Sequence, residues 1–192
     1  MEIVELVISD NEDGQEAIAL VDRPAIQRNF VAFSESAKYE FKIENEDQRI
    51  VSGALLLADT PIYRKDGDRE FYVMFSKDTI KKIAIKYFKE GKHNNVNEMH
   101  NPKKALNNIT LFESWINDKE RGIMPMQGFE DVPDGSWFGS MKIDDDVTWA
   151  KVKEGKFQGF SIEGYFSNKT AEVKAISDED LVNEIVNILE NE

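Results

Sequence analysis

The chain contains two histidines, His93 and His100, so an imidazole base must be one of them. His93 stands in a polar run after a predicted helix, where a solvated histidine is the ordinary outcome. His100 follows the strand-like residues 96–98 and precedes Asn101–Pro102, a pair that predicts the end of the strand. Catalytic side chains are often held at such strand ends and loop mouths. His100 is therefore the candidate base, although a histidine in this setting is also common without a catalytic role.

A serine lies between two glycines in the predicted strand at residues 157–166. Because side chains alternate along a strand, Ser161 and Glu163 share one face, while Phe160 and Ile162 share the other, core-facing one. Glycines in a strand indicate that something approaches the backbone closely. A serine in this position can act as a nucleophile if a histidine removes its proton. The simpler alternative is a serine that fills a small gap.

Glu113 and Ser114 interrupt an otherwise apolar strand, residues 109–116. One of these two side chains must therefore point inward or into a cleft. A buried carboxylate is unfavourable unless it is paired, and a protonatable histidine is a suitable partner. A glutamate in water on an edge strand explains the pattern about as well.

The sequence predicts neither a metal nor a cofactor. His93 and His100 are seven residues apart (100 − 93 = 7), a spacing that matches none of the common zinc motifs. Asp144–Asp146 could hold a hard cation, but no EF-hand loop surrounds these acids. A solvated helix cap explains them better. The chain has no Cys, which excludes disulfides and thiolate chemistry. It also lacks a Walker loop and a dinucleotide fingerprint.

The net charge narrows the range of partners. The chain has 24 Lys and Arg against 37 Asp and Glu, a formal charge of −13. Such a surface repels phosphate, so nucleic acid is not an expected partner. The apolar run Ala54–Ala58 is far shorter than the ~20 residues of a membrane helix, and the acidic start of the chain does not resemble a signal peptide. We therefore expect a soluble intracellular protein with no membrane partner.

Most of the remaining pattern predicts strands, which are short apolar or alternating runs bounded by turn residues. The predicted strands are residues 2–9, 17–21, 30–33, 39–43, 50–58, 70–75, 109–116, 137–143 and 157–166. Helical periodicity marks residues 76–89 with Ser76 as N-cap, and a short segment from Asp144 or Asp145 through Val152. Because strands dominate and strand-helix-strand units do not recur, we predict an α+β fold on a mostly antiparallel sheet or barrel.

A third predicted helix begins at Ser177 and has an unusual charge. Residues 177–192 carry six acids and no Lys or Arg. The apolar face of this helix consists of Leu181, Val182, Ile185, Ile188 and Leu189. An apolar stripe on so acidic a helix must pack on something, either this domain or a partner. We therefore divide the chain into one domain, residues 1–176, and an acidic C-terminal helix, residues 177–192.

Several motifs of the chain resemble the XkdF-like family of phage serine proteases. They are residues 20–26, 51–55, 61–64, 113–116, 132–144, 148–153 and 159–166. The resemblance extends from about Ile3 to Phe166 and is most specific from Pro133 onward. Residues 181–192 lie outside it.

This family is similar to the prohead maturation proteases of tailed phages, which share a fold with herpesvirus assembly proteases. The resemblance implies a β-barrel surrounded by a few helices, with Ser161 as nucleophile on a barrel strand and His100 as base. It implies that the phage scaffold and major capsid proteins are substrates, with self-cleavage as well. Cleavage would take place inside the assembling procapsid, in the host cytoplasm. The resemblance also allows a homo-oligomer, for which the sequence shows no interface.

The third catalytic residue departs from the herpesvirus pattern, in which a second histidine follows the serine. No histidine follows His100 in this chain, so a carboxylate must substitute or the role is empty. Glu113 is the first choice because it follows His100 closely within a matching motif. Glu163 is the reserve, because it shares a strand face with Ser161. The oxyanion hole that acyl transfer requires has two candidate donors, the backbone amides near Gly164 and the side chain of Lys169.

Two other functions remain as alternatives. The first is a catalytically inactive capsid-assembly or scaffolding module of the same fold, whose acidic C-terminal helix binds a partner. The second is a metal-dependent hydrolase, which the residues support least.

Overall fold

The structure is a computed structural model that describes residues 2–8, 14–22, 42–46 and 48–169. Within these ranges the chain forms twelve strands and two α-helices. The strands are β1 Ile3–Val7, β2 Gly14–Val21, β3 Lys42–Asn45, β4 Ile50–Leu56, β5 Ile62–Asp66, β6 Arg69–Met74, β7 Val96–Glu98, β8 Asn101–Leu106, β9 Ile109–Ile116, β10 Trp137–Ile143, β11 Gly159–Tyr165 and β12 Ser167–Lys169. The helices are α1 Lys77–Lys89 and α2 Asp146–Lys153.

The described strands form three four-stranded sheets. Their orders are β12-β1-β6-β5, β3-β4-β10-β9 and β11-β2-β7-β8. Most neighbours are antiparallel, but β1 pairs with β6, and β2 with β7, in parallel. The predicted mixture of dominant strands and few helices is confirmed. The predicted closed barrel is not: each of these sheets ends in edge strands that are hydrogen-bonded on one side only.

One hydrophobic core joins the three sheets and both helices. It contains Val73 from the first sheet, Trp137 from the second and Phe160 from the third, together with Tyr87 of α1 and Trp149 of α2. Burying a large apolar side chain stabilises a fold by roughly 1.5–3 kcal/mol, so this shared cluster holds the sheets in fixed positions. A smaller cluster around Phe138 covers the outer side of β4 and β10.

Both helices begin where the sequence predicts. The Ser76 hydroxyl accepts a hydrogen bond from the Thr79 amide at the start of α1. The Asp145 carboxylate does the same for the Thr148 amide of α2, at 2.7 Å. Neither helix is long and apolar enough to cross a membrane. The strand predicted at residues 30–33 and the helix predicted from Ser177 lie outside the described residues.

Three strands were not predicted, β5, β8 and β12, whereas the strand-like residues 96–98 are confirmed as β7. All three are edge strands, and their polar residues interrupt the apolar alternation. We expected Asn101–Pro102 to end a strand, but these two residues begin β8. Proline has no backbone N–H to donate to a neighbouring strand, and this loss is tolerated at the start of an edge strand.

Candidate active site

His100 occupies a two-residue turn between β7 and β8. Glu98 pairs with Asn101 across this hairpin, and the two central residues, Met99 and His100, have positive φ angles of 52° and 56°. Two successive left-handed residues are the geometry of a type I′ turn, which normally favours Asn-Gly. A non-glycine residue in this region costs on the order of 1–3 kcal/mol, and such strain clusters at functional sites. The His100 side chain projects from the turn and is 43% exposed.

Two contacts hold the β7–β8 hairpin against its neighbours. The Met99 amide donates to the Leu20 carbonyl of β2 at 3.1 Å. The Glu98 carboxylate, at the end of β7, lies 2.8 Å from the Lys151 ammonium of α2. The Lys104 ammonium, from β8 of the hairpin itself, lies 3.6 Å from the same carboxylate. The hydrogen bond from Lys151 holds the pKa of Glu98 below its ordinary value. The strained turn that carries His100 is therefore fixed to both β2 and α2.

Ser161 lies in the middle of β11, directly opposite Ala19 of β2, and Glu163 lies opposite Ala17. Phe160 points to the other side, into the core. Ser161 and Glu163 share a face, as alternation predicts, but Ile162, predicted on the opposite face, lines the same cavity as Ser161. Ser161 itself is buried, with 5% of its surface exposed.

Ser161, His100 and Glu163 all line one cavity of about 280 Å³. Although Ser161 and His100 are 61 residues apart in the sequence (161 − 100 = 61), the β11-β2-β7 order brings their strands into one sheet. The rest of the wall is mainly apolar, with contributions from Leu6, Leu55, Leu56, Ile62, Phe75 and Phe166. An apolar wall around a few convergent polar groups is typical of a ligand or active site.

Glu163 connects the histidine to a buried amide. Its Oε2 atom lies 3.7 Å from His100 Nδ1, and the same oxygen accepts a hydrogen bond of 2.6 Å from Asn97 Nδ2. Asn97 is buried, and its Oδ1 atom has no hydrogen-bond partner among the described residues. Sequence reasoning did not identify Asn97. The available signal was a polar residue within the strand-like run that leads to His100.

The close approach of β2 explains why β11 carries a glycine, Gly164, after Glu163. The ladder between β11 and β2 shifts register between Glu163 and Gly164, which is a β-bulge. A Cβ atom at Gly164 would lie 2.8 Å from the Gln15 Cα atom and would clash with Gly14 as well. The close approach that the glycine predicts is therefore that of the β2 backbone. Bulges of this kind often re-aim side chains beside active sites.

The structure places Glu113 in a different polar cluster. Its carboxylate accepts a hydrogen bond of 2.6 Å from the Ser140 hydroxyl, which in turn accepts one of 2.8 Å from Ser52. These residues belong to neighbouring strands β9, β10 and β4, and Glu113 is not among the residues that line the cavity of Ser161 and His100. Of the two predicted carboxylates, Glu163 is the one beside the histidine.

His93 lies apart from that cavity as well. It is part of a 3₁₀ turn over Lys92–Asn94, and its ring stacks on Phe88 with 5.5 Å between centroids. His93 is half-buried, and its buried Nδ1 atom has no hydrogen-bond partner among the described residues, so the solvated histidine that the sequence predicts is not observed.

Arg64 brings a positive charge to the cavity that sequence reasoning did not anticipate. It lines the same wall as Ser161, and its guanidinium donates to the Tyr63 carbonyl at 3.0 Å. Desolvation lowers the pKa of Arg64, but a guanidinium stays charged in proteins. Residues 61–64 form one of the motifs that carry the family resemblance, which was the available signal. The Lys169 side chain, one of the predicted oxyanion donors, lies outside the described part of the chain.

A second, larger cavity of about 670 Å³ adjoins the first. Glu163 and Gly164 of β11 line both cavities. The larger one is rich in amide side chains, which come from Asn94, Asn95, Asn97 and Asn107. Together the two spaces offer an apolar part beside Ser161 and an adjoining part with hydrogen-bonding groups suited to a peptide.

Comparison with known proteins gave one match. A family model described as "Putative phage serine protease XkdF" matches residues 38–171, which is more than half of the chain. No significant match was found among curated proteins or among solved structures.

Proposed function

Because this chain belongs to the family of the putative phage serine protease XkdF, we propose that it is a serine endopeptidase with Ser161 as nucleophile and His100 as base. The observation that carries this proposal is the shared cavity of Ser161, His100 and Glu163. The strained turn at Met99 and His100 supports it, because a fold maintains such strain where the side chain has a task.

The proposed reaction is acyl transfer to Ser161. His100 removes the Ser161 proton as the hydroxyl oxygen attacks the peptide carbonyl carbon, which gives a tetrahedral intermediate. The carbon–nitrogen bond then breaks, and His100 returns the proton to the leaving amine. Water next attacks the acyl-enzyme with His100 again as the base, which releases the carboxylate product and restores the serine hydroxyl.

Glu163 is the proposed third member of the catalytic group. A carboxylate beside Nδ1 leaves Nε2 as the ring nitrogen that can reach the serine. The distance of 3.7 Å exceeds a hydrogen bond, but catalytic hydrogen bonds in unliganded enzymes are often long and shorten when substrate binds. Asn97 is the proposed positioning residue, since its amide holds the Glu163 oxygen that faces the imidazole.

Arg64 is the proposed source of positive charge for the oxyanion. The carbonyl oxygen gains negative charge in the tetrahedral intermediate, and one well-placed donor is worth about 10²–10³ in rate. Arg64 and Gly164 both line the cavity of Ser161, and the backbone amide of Gly164 is the second candidate donor to the oxyanion.

The proposed substrates are the phage scaffold and major capsid proteins, with self-cleavage of the protease. The proposed setting is the assembling procapsid in the host cytoplasm, and residues 1–176 form the proposed protease domain. The family description, which names a putative phage serine protease, supports the phage setting of this proposal.

Mass spectrometry of the protein, expressed alone and together with its capsid and scaffold proteins, tests the proposal. We expect defined cleavage products with the wild-type chain and none with Ser161→Ala or His100→Ala. His93→Ala and Ser167→Ala are matched controls that should leave cleavage intact. Cleavage that persists in Ser161→Ala would exclude the proposed mechanism. A complete absence of cleavage by the wild-type chain, with normal binding to capsid protein, would favour the inactive assembly module instead.

A further inference from the structure

A wide groove lies between helix α1 and the edge strand β9, and no residue of the catalytic proposal lines it. Its volume is about 780 Å³. The apolar residues along it include Ala84, Ile85, Phe88, Phe112, Trp115 and Ile123. Ile85, Phe112 and Phe88 remain 52%, 49% and 40% exposed, so no described residue covers them. Adjacent exposed apolar side chains of this size mark an interaction surface rather than an ordinary protein exterior.

The rim of this groove is basic, in contrast to the rest of the chain. Helix α1 carries five lysines and one acid over Lys77–Lys89. Lys81 and Arg121 line the groove itself. In a chain with a formal charge of −13, this concentration of positive charge selects an acidic partner. The occupant of the groove should therefore be both apolar and acidic.

Residues 177–192 of the same chain have this combination. The segment carries six acids without a single base, and its Leu, Val and Ile residues recur with helical spacing. A groove that receives the apolar face of an amphipathic helix is a common recognition mode. The acids that flank this face would lie near the lysines of α1.

The path of the chain also permits this contact. Ser167 of β12 pairs with Val7 of β1, and the next residue, Ile8, lines a small cavity together with Ile85 and Lys89 of α1. Ile85 lines the groove as well. β12 ends at Lys169, opposite Glu5 of β1, and Glu5 pairs in turn with Met74, three residues before α1 begins. The seven residues 170–176 span at most ~25 Å when extended, so residue 177 can reach α1 from the end of β12.

We propose that residues 177–192 dock as an amphipathic helix in the groove between α1 and β9 of their own chain. The apolar stripe at Leu181 and Ile185 covers Ile85, Phe88 and Phe112, and the acids face the basic rim. This docking does not depend on the proposed protease chemistry, since none of the groove residues lines the cavity of Ser161.

Disulfide cross-linking tests this docking directly, because the natural chain has no Cys. The full chain carries Ser161→Ala, to prevent self-cleavage, together with Ile85→Cys and Ile185→Cys. The control pairs Ile185→Cys with Val147→Cys on α2. Ile85 and Val147 are 52% and 65% exposed, so neither substitution disturbs the core. After mild oxidation at low protein concentration, we expect several-fold more intramolecular disulfide with Ile85→Cys than with Val147→Cys.

Addition of Lys81→Glu and Lys89→Glu to the Ile85→Cys chain should lower the yield, because it reverses charge on the rim. Equal yields for the two cysteine pairs would overturn the proposal. Disulfides formed mainly between two chains would also overturn it, and would assign the groove to a second copy of the protein.

Discussion

His100 Nδ1 lies 3.7 Å from Glu163 Oε2, across two strand pairings that join β11 to β7 through β2. This relationship gives the two ring nitrogens different roles, because a carboxylate beside Nδ1 leaves Nε2 as the nitrogen for a second partner. Asn97 fixes the carboxylate in turn. A buried amide, a carboxylate and a histidine are therefore linked in that order beside the cavity that Ser161 lines.

The nucleophile can be tested without knowledge of the substrate. A fluorophosphonate probe reacts with serines whose proton a neighbouring base removes, so we expect one adduct, at Ser161, located by peptide mass spectrometry. His100→Ala should slow labelling by about 10³-fold or more, because the base acts with the nucleophile as a unit. His93→Ala is the control and should label at the wild-type rate. Equal labelling of all three proteins would contradict the assignment of His100.

The two candidate carboxylates predict opposite results for a pair of matched variants. Glu163→Gln should lower kcat by roughly 10²–10⁴-fold with little change in KM, because it removes the charge beside the imidazolium. Glu113→Gln should leave kcat within a few-fold of wild type, since its carboxylate bonds to Ser140. Steady-state cleavage of a capsid-derived peptide provides the measurement. The reverse order of effects would restore Glu113 to the catalytic role.

The difference between these carboxylates shows where sequence reasoning stops. Alternation along β11 correctly placed Ser161 and Glu163 on one face, because that rule depends only on local geometry. Proximity in sequence favoured Glu113, but β9 pairs with β10 in another sheet. The pairing of strands is a long-range property, and a short alternating pattern does not encode it.

The same contrast between local signals and long-range strand pairing explains which parts of the fold were predicted. Both helices were predicted because caps and apolar periodicity are local signals, as at Ser76 and Asp145. The barrel was not observed because closure depends on which strands become neighbours. The hairpin at Met99 and His100 was missed since its turn residues lack the Asn-Gly signature, although the strand end at His100 was expected.

Relief of strain in the turn at Met99 and His100 should stabilise the fold. Met99 has a φ of 52°, and asparagine occupies this region more readily than methionine. We expect Met99→Asn to raise the free energy of unfolding by about 0.5–1 kcal/mol, as measured by urea denaturation. Met124→Asn, at another exposed methionine, controls for the loss of exposed apolar surface. A loss of stability specific to Met99→Asn would show that the methionine side chain contributes more than its backbone conformation costs.

The ion pair between Glu98 and Lys151 should make part of the stability pH-dependent. The pKa of Glu98 is lowered in the folded chain from its ordinary 4.5, chiefly by the hydrogen bond from Lys151. Its contribution is therefore present above that value and disappears as the pH falls through the lowered pKa. Glu98→Gln should cost about 1 kcal/mol at neutral pH and less at about pH 3.5, by urea denaturation. Glu120→Gln, on an exposed turn, should show no such difference, and a cost of Glu98→Gln that does not depend on pH would contradict the ionic origin.

Tyr87 offers a test of the core itself. Its ring packs edge-on against Trp137 with 5.9 Å between centroids, but its buried hydroxyl has no hydrogen-bond partner among the described residues. Burial also raises the pKa of this hydroxyl. Tyr87→Phe keeps the ring and removes the unsatisfied group, so we expect the free energy of unfolding to stay the same or to rise by up to about 1 kcal/mol. Tyr165→Phe, at an exposed position, should change nothing. A loss of more than about 1 kcal/mol in Tyr87→Phe alone would mean that the hydroxyl bonds to a group in the remaining part of the chain, which would then pack against α1.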